Sequence, residues 1–194
     1  MNQSVISLKI ILAGNHQCGK TLFMLRWKDP EGQYTPQTTI ATELTCQTVT
    51  IDDVVYKIQL WDTAGQEAYH SITAPYFRSC KGVFLVFDVT NRPSFESLDY
   101  WLGMIHENTH DMPLIVVIAN KIDMPDHAVE PEEISKFCHD HDLPFFMVSA
   151  WTGENVKNAA DYMINNLAEA SHVINQAETI HLDRTKSQND GPCC

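Results

Sequence analysis

The strongest constraint on this chain lies near its beginning. Val5 to Ala13 is a mostly apolar run, V-I-S-L-K-I-I-L-A, that stops at Gly14. Its length and branched residues suit a buried strand. Gly14-Asn15-His16-Gln17-Cys18-Gly19-Lys20-Thr21 follows and fits the pattern G-x-x-x-x-G-K-S/T. Thr21 to Trp27 then reads as a helix. Glycines let such a loop turn tightly and point successive N–H groups inward, and with the helix N-terminus these cradle phosphate. Lys20 reaches toward β and γ phosphates, and Thr21 offers a hydroxyl to Mg²⁺. The competing reading is an ordinary strand–loop–helix turn with no ligand.

The rest of the chain continues the alternation. Leu44 to Ile51 and Val54 to Trp61 read as two strands, and Asp52-Asp53 between them suggests a tight hairpin. Val83 to Phe87, Leu114 to Ala119 and Phe145 to Val148 are short apolar runs suited to central parallel strands. Phe95, Leu98, Leu102 and Ile105 recur on one helical face, as do Val156, Ala160, Met163 and Leu167. Phe84, Phe87, Phe145 and Phe146 are expected in the core. Strands alternating with helices imply an open, mostly parallel sheet covered on both faces. Ligands of such sheets bind beyond the carboxyl ends of the strands.

Two further clusters follow strand ends. Asn120-Lys121-Ile122-Asp123 follows Leu114 to Ala119. A carboxylate at Asp123 accepts from the two N–H donors on guanine's edge, a pair that adenine lacks. The alkyl stem of Lys121 suits a purine face. A surface loop is the plainer reading of such a tetrapeptide taken alone. Trp61-Asp62-Thr63-Ala64-Gly65-Gln66-Glu67 ends another strand. Asp62 is a candidate Mg²⁺ ligand, Gly65 offers an unobstructed N–H to a γ-phosphate, and Gln66 is placed to orient an attacking water. Thr38 or Thr39 would complete the metal shell.

Charge excludes one class of partner. Against 25 acidic residues stand 13 Lys and Arg, a net charge of -12. Nucleic acid calls for a basic face, so none is expected as a partner. Anionic lipid is not attracted by such a chain either. The six cysteines follow no disulfide framework, which suggests a reduced, cytosolic setting. No signal peptide is visible after Met1, and no apolar stretch reaches the roughly 18 residues that span a bilayer. Cys138, His139 and His141 are spaced wrongly for a metal site. Cys193 and Cys194 end the chain. They suit lipidation, or stand as an exposed, redox-active thiol pair.

With these residues in hand, the chain resembles the Ras superfamily and, within it, the Rab GTPases. The matching pieces are G-N-H-Q-C-G-K-T, Thr39-Ile40, W-D-T-A-G-Q-E, N-K-I-D and Ser149-Ala150, with Tyr76-Phe77-Arg78, F-D-V-T-N-R-P-S-F and the terminal cysteine pair. The resemblance implies an α/β fold of the three-layer P-loop NTPase type, with a mostly parallel six-stranded sheet, one antiparallel strand and helices on both faces. It implies a GTPase domain over residues 1–170; from about Ala170 the helical periodicity fades into a polar stretch, so 171–194 is expected to be a flexible tail. It implies GTP or GDP with Mg²⁺, with Thr21, Thr39 and Asp62 on the metal. Gly14 to Thr21, Thr39, Gly65, Asn120, Lys121, Asp123 and Ser149 would line the nucleotide, and Ala150 would give an N–H to the guanine carbonyl; Trp151, standing where Lys is usual, is expected to stack near the base instead. Gln66 and Lys20 would carry catalysis. Trp61 and Tyr76 would face effectors, with Leu44 where a Phe is usual. Exchange factor, GTPase-activating protein, an escort or GDP-dissociation inhibitor and effectors are the implied partners. Geranylgeranyl groups on Cys193 and Cys194 would anchor the chain peripherally on the cytosolic face of an intracellular membrane.

The departures from that pattern are His16, Gln17 where Gly is usual, Ala41 for Gly, Ala68 for Arg, and Trp151 for Lys. A side chain at Gln17 is expected to strain the loop or weaken nucleotide affinity. Three functions are in competition: a slow GTP hydrolase switch, a nucleotide-gated binding module with little turnover, and an ATP-using P-loop enzyme. Asp123 counts against the third.

Overall fold

The computed structural model describes residues 5–34, 43–62 and 74–187. Its centre is a six-stranded sheet built from β1 (Val5–Ala13), β2 (Glu43–Ile51), β3 (Val54–Asp62), β4 (Gly82–Asp88), β5 (Leu114–Asn120) and β6 (Phe145–Val148). The strand order is β2-β3-β1-β4-β5-β6. Only β2 runs antiparallel to its neighbour; the other pairings in the sheet are parallel. The order reverses at β1, where β1 lies between β3 and β4. In an open sheet this is the point at which a crevice for a ligand opens.

The helices are α1 (Lys20–Lys28), α2 (Arg92–Glu96), α3 (Leu98–Asn108), α4 (Pro131–Asp140) and α5 (Val156–Ser187). They cover both faces, and strict alternation along the strands sorts the core in two. Ile10, Leu12, Phe84, Val86, Val116 and Ile118 point to one face, where Phe23 of α1 and Met163 of α5 close over them. Ile11, Val83, Leu85, Phe87, Ile115 and Val117 point to the other, beneath Trp101 and Ile105 of α3 and Ile134 of α4. Strand positions buried on both faces are apolar, which is why β4, β5 and the inner half of β1 read as nearly continuous runs.

The hairpin between β2 and β3 is as tight as its sequence suggests. Ile51 pairs with Val54, so the loop is Asp52-Asp53, with φ of 47° and 63°. Two positive φ values give the primed turn whose twist matches paired strands, and Asp tolerates that region better than most side chains.

Three features depart from expectation. The helical face containing Phe95, Leu98, Leu102 and Ile105 belongs to two helices, broken at Ser97. The Ser97 hydroxyl donates to Pro93 O at 2.7 Å, and the Ser97 N–H bonds the same carbonyl at 3.1 Å, closing α2 before α3 starts. Phe145 and Phe146 are half-buried rather than core, because β6 lies at the sheet edge with a strand on one side only. Phe84 and Phe87 are buried as expected. The periodicity of the last helix fades near Ala170, yet its backbone stays helical to Ser187. No Gly or Pro interrupts that stretch, so a nucleated helix propagates at little cost.

Candidate functional site

The loop Gly14 to Gly19 leaves β1 and enters α1, and its glycines are dictated by close neighbours. Gly14 has φ of 126°, and a Cβ there would stand 1.9 Å from Val86 O. Gly19 has φ of 88°, and its Cβ would meet Asn120 Nδ2 at 2.3 Å. A strand backbone and a buried amide therefore occupy the room that a side chain would need. Gln17 takes φ of 60° without being glycine. The left-handed region costs a side chain roughly 1–2 kcal/mol, so the strain expected at Gln17 is present. His16 and Gln17 are both exposed. Cys18 is buried, and burial is the main cause that pushes its thiol above the ordinary value.

Lys20 begins α1 and is buried. Its ammonium donates to Gly14 O at 2.6 Å and Asn15 O at 2.7 Å, so the lysine folds back over the loop's own carbonyls. Thr21 Oγ1 donates to Asp62 Oδ2 at 2.5 Å. Asp62 ends β3, adjacent to β1, and is buried. The two proposed metal ligands are thus brought together from positions 41 residues apart. Both are hard oxygens, the donor chemistry that Mg²⁺ accepts alongside phosphate and water.

The second loop cluster meets the first through Asn120. Its buried side chain donates from Nδ2 to Cys18 O at 2.7 Å and accepts the Ala150 N–H at Oδ1, 3.0 Å away. One amide therefore joins the phosphate loop to the loop after β6. Its partner, the Ala150 N–H, is the donor that resemblance assigns to a guanine carbonyl. Ser149 is fully buried and donates from Oγ to Asp123 Oδ1 at 2.6 Å, which orients a carboxylate that itself is exposed. Lys121 has φ of 70°, and its ammonium lies 2.5 Å from Asp88 Oδ2 at the end of β4. Asp88 is buried and also accepts Thr90 N–H and Oγ1–H at Oδ1. The Lys121 stem thereby spans from the end of β5 to the end of β4. Trp151, next in the loop, is 50% exposed.

Thr39, Gly65, Gln66, Cys193 and Cys194 lie outside the described residues, as do Ala41 and Ala68. Of the aromatic cluster, Trp61 and Tyr76 have ring centroids 5.9 Å apart, and Leu44 stands opposite Trp61 in register.

Sequence reasoning passed over four residues that the fold recruits: Arg26, Asp88, Ser97 and Trp101. Asn15 donates from Nδ2 to Ser97 Oγ at 3.0 Å and accepts the Trp101 indole N–H at Oδ1, 2.8 Å away. The break between α2 and α3 supplies the hydroxyl, and α3 supplies the indole. A buried Trp needs a partner for its N–H, which is the signal that was there to find. Replacing Trp101 by Phe is expected to cost about 2–3 kcal/mol, from the lost hydrogen bond and the void under α3. A lower urea midpoint at unchanged slope checks it; an unchanged midpoint would mean that the indole contributes nothing.

The Ras family model matches residues 9–169. Rab-18 of Caenorhabditis briggsae is 34% identical over 190 residues, covering 97% of this chain and 94% of the relative. Human Rab-37 is 34% identical over 191 residues, covering 96% and 85%. Bovine Rab-26 is 37% identical over 155 residues, or 78% of this chain and 60% of that protein. The chain belongs to the Rab small GTPases of the Ras family. As a Rab it is a GTP hydrolase, and its strand order and lone antiparallel pairing are those of a Ras-like P-loop GTPase. It is a divergent Rab, with a glutamine at φ 60° in the loop between β1 and α1.

Proposed function

We propose that this Rab binds GDP and GTP with Mg²⁺, hydrolyses GTP slowly, and acts as a membrane-tethered switch in vesicle trafficking. The observation that carries the reading is the Asn120 amide, which holds the phosphate loop at Cys18 O and the base loop at Ala150 N–H. A phosphate cradle and a guanine-selecting carboxylate are useful together only when held at a fixed separation. Lys20 and the N–H groups at the start of α1 bind the phosphates, Asp123 reads the base, and Trp151 flanks it. Thr21 and Asp62 hold the metal, joined by Thr39. Bound Mg²⁺ supplies charge neutralisation at the phosphates. Gly65 senses the γ-phosphate and Gln66 orients the attacking water. Loops held by that phosphate are released on its loss, which makes a two-state device.

Among the described residues no helix is long and apolar enough to cross a membrane. Attachment is assigned to geranylgeranyl groups on Cys193 and Cys194, since stable anchoring takes two lipid signals. The family supports an exchange factor, an activating protein, an escort or dissociation inhibitor and effectors as partners.

The test is a titration with mant-GDP and mant-GTP under ATP competition, with and without Mg²⁺, followed by GTP turnover over hours. Mg²⁺-dependent guanine binding with turnover that falls severalfold in Gln66→Leu is the expected result. Equal competition by ATP would overturn the guanine reading. Gln17 at φ 60° favours a second reading, a nucleotide-gated module with little turnover. Intact bound GTP after hours with a candidate activating protein would select it.

A further inference from the structure

α1 carries a second well-bonded cation, Arg26, in its last turn. The Arg26 guanidinium donates to four backbone carbonyls on two separate loops. Nε reaches Ala150 O at 3.2 Å and Nη2 reaches Trp151 O at 2.6 Å, both in the base loop. Nη1 reaches Pro30 O at 2.8 Å and Gly32 O at 3.1 Å, in the segment that leads toward Thr39. The guanidinium also lies over the Tyr34 ring, 5.0 Å from its centroid. Gly153 has φ of 91°, and a Cβ there would come within 3.3 Å of Arg26 Cδ, so the loop folds closely onto this side chain. Carbonyl oxygens held by a charged donor make stronger bonds than neutral pairs do, and the planar guanidinium, with five donors in a fixed fork, can hold carbonyls on two loops at once.

We infer that Arg26 is a positioning residue for nucleotide binding: it clamps the base-reading loop to the segment entering the switch region. This rests on the guanine-nucleotide reading above. The base loop is fixed from the inside by Asn120 and through Ser149, whose hydroxyl orients Asp123. Arg26 fixes it from the outside. Lys20 and Arg26 stand on one helix, six residues and about 9 Å apart along its axis. That rigid element sets the spacing between the phosphate end and the base end of the site. Movement of the segment at residues 30–34 is transmitted to the base loop through the same guanidinium, so a partner that displaces this segment loosens the base as well.

The experiment measures mant-GDP release from the full chain for wild type, Arg26→Lys and Arg26→Ala, with competition by GDP and inosine diphosphate. Inosine lacks the exocyclic amine that Asp123 would accept. Release is expected to accelerate about tenfold in both variants, from several charge-assisted bonds lost and a misplaced loop. The advantage of GDP over inosine diphosphate should shrink toward that of Asp123→Ala. Faster release with that ratio intact would reduce Arg26 to a general support of the fold and overturn the inference, as would an unchanged rate. If Arg26→Ala does not fold, Arg26→Lys decides. Failure of the wild type to retain mant-GDP would overturn the nucleotide reading itself, and this inference with it.

Discussion

Replacing Asp123 by Ala is expected to lower the affinity for GDP about a hundredfold to a thousandfold and to leave the weak binding of ATP as it was. A carboxylate facing two N–H donors makes charge-assisted bonds worth about 1.5–3 kcal/mol each. Its loss also leaves those donors desolvated against a methyl group, and sites built to match a polar edge discriminate steeply for that reason. Asp123 is prepared for the role by Ser149, which is fully buried and donates to Oδ1 at 2.6 Å. The carboxylate need not be ordered when the base arrives, so less of the interaction is lost to conformational entropy. Competition titration of mant-GDP by GDP, inosine diphosphate and ATP is the measurement. Inosine diphosphate should suffer less than GDP because it offers one donor fewer. A GDP affinity within about threefold of wild type would remove Asp123 from base recognition.

Replacing Lys20 by Ala is expected to weaken GDP and GTP alike, by about a hundredfold or more, with guanine preference unchanged. The ammonium is buried and rests on Gly14 O and Asn15 O, at 2.6 and 2.7 Å. In the proposed site the nucleotide phosphates would place negative charge against this ammonium, and such charge-assisted contacts are the strong ones. The variant also strips those carbonyls of a donor, a further cost of about 1–3 kcal/mol to the fold. Calorimetric titration separates the two effects when paired with urea unfolding in the absence of nucleotide. Binding that falls only in proportion to the unfolded fraction would show that Lys20 supports the loop without contacting phosphate.

Much of the fold was legible because burial leaves little choice of residue. The inner positions of β1, β4 and β5 are covered on both faces, so they are apolar and the runs stand out. The hairpin at Asp52-Asp53 was legible because few side chains accept two positive φ values in succession. The phosphate loop and Asn120 to Asp123 were legible as local motifs. The break at Ser97 was hidden, since Phe95 and Leu98 keep helical spacing across it and periodicity does not register a ψ of -5° at the residue between them. The burial of Phe145 and Phe146 was overestimated because an apolar pair reads alike in a central strand and an edge strand.

The sequence by itself determined the layers, the phosphate-loop motif and the placement of Asp123, the carboxylate proposed to select the base. Each of these depends on residues within a few positions of one another, where backbone geometry is set by local chemistry. Tertiary structure alone decided how the pieces are held. Asn120 meets Cys18 across 102 residues, Trp101 meets Asn15 across 86, and Arg26 meets Trp151 across 125. In two of those contacts one partner is a backbone carbonyl, which every residue possesses and no pattern of side chains announces. Such a bond exists only once the sheet has brought the strand ends to one edge.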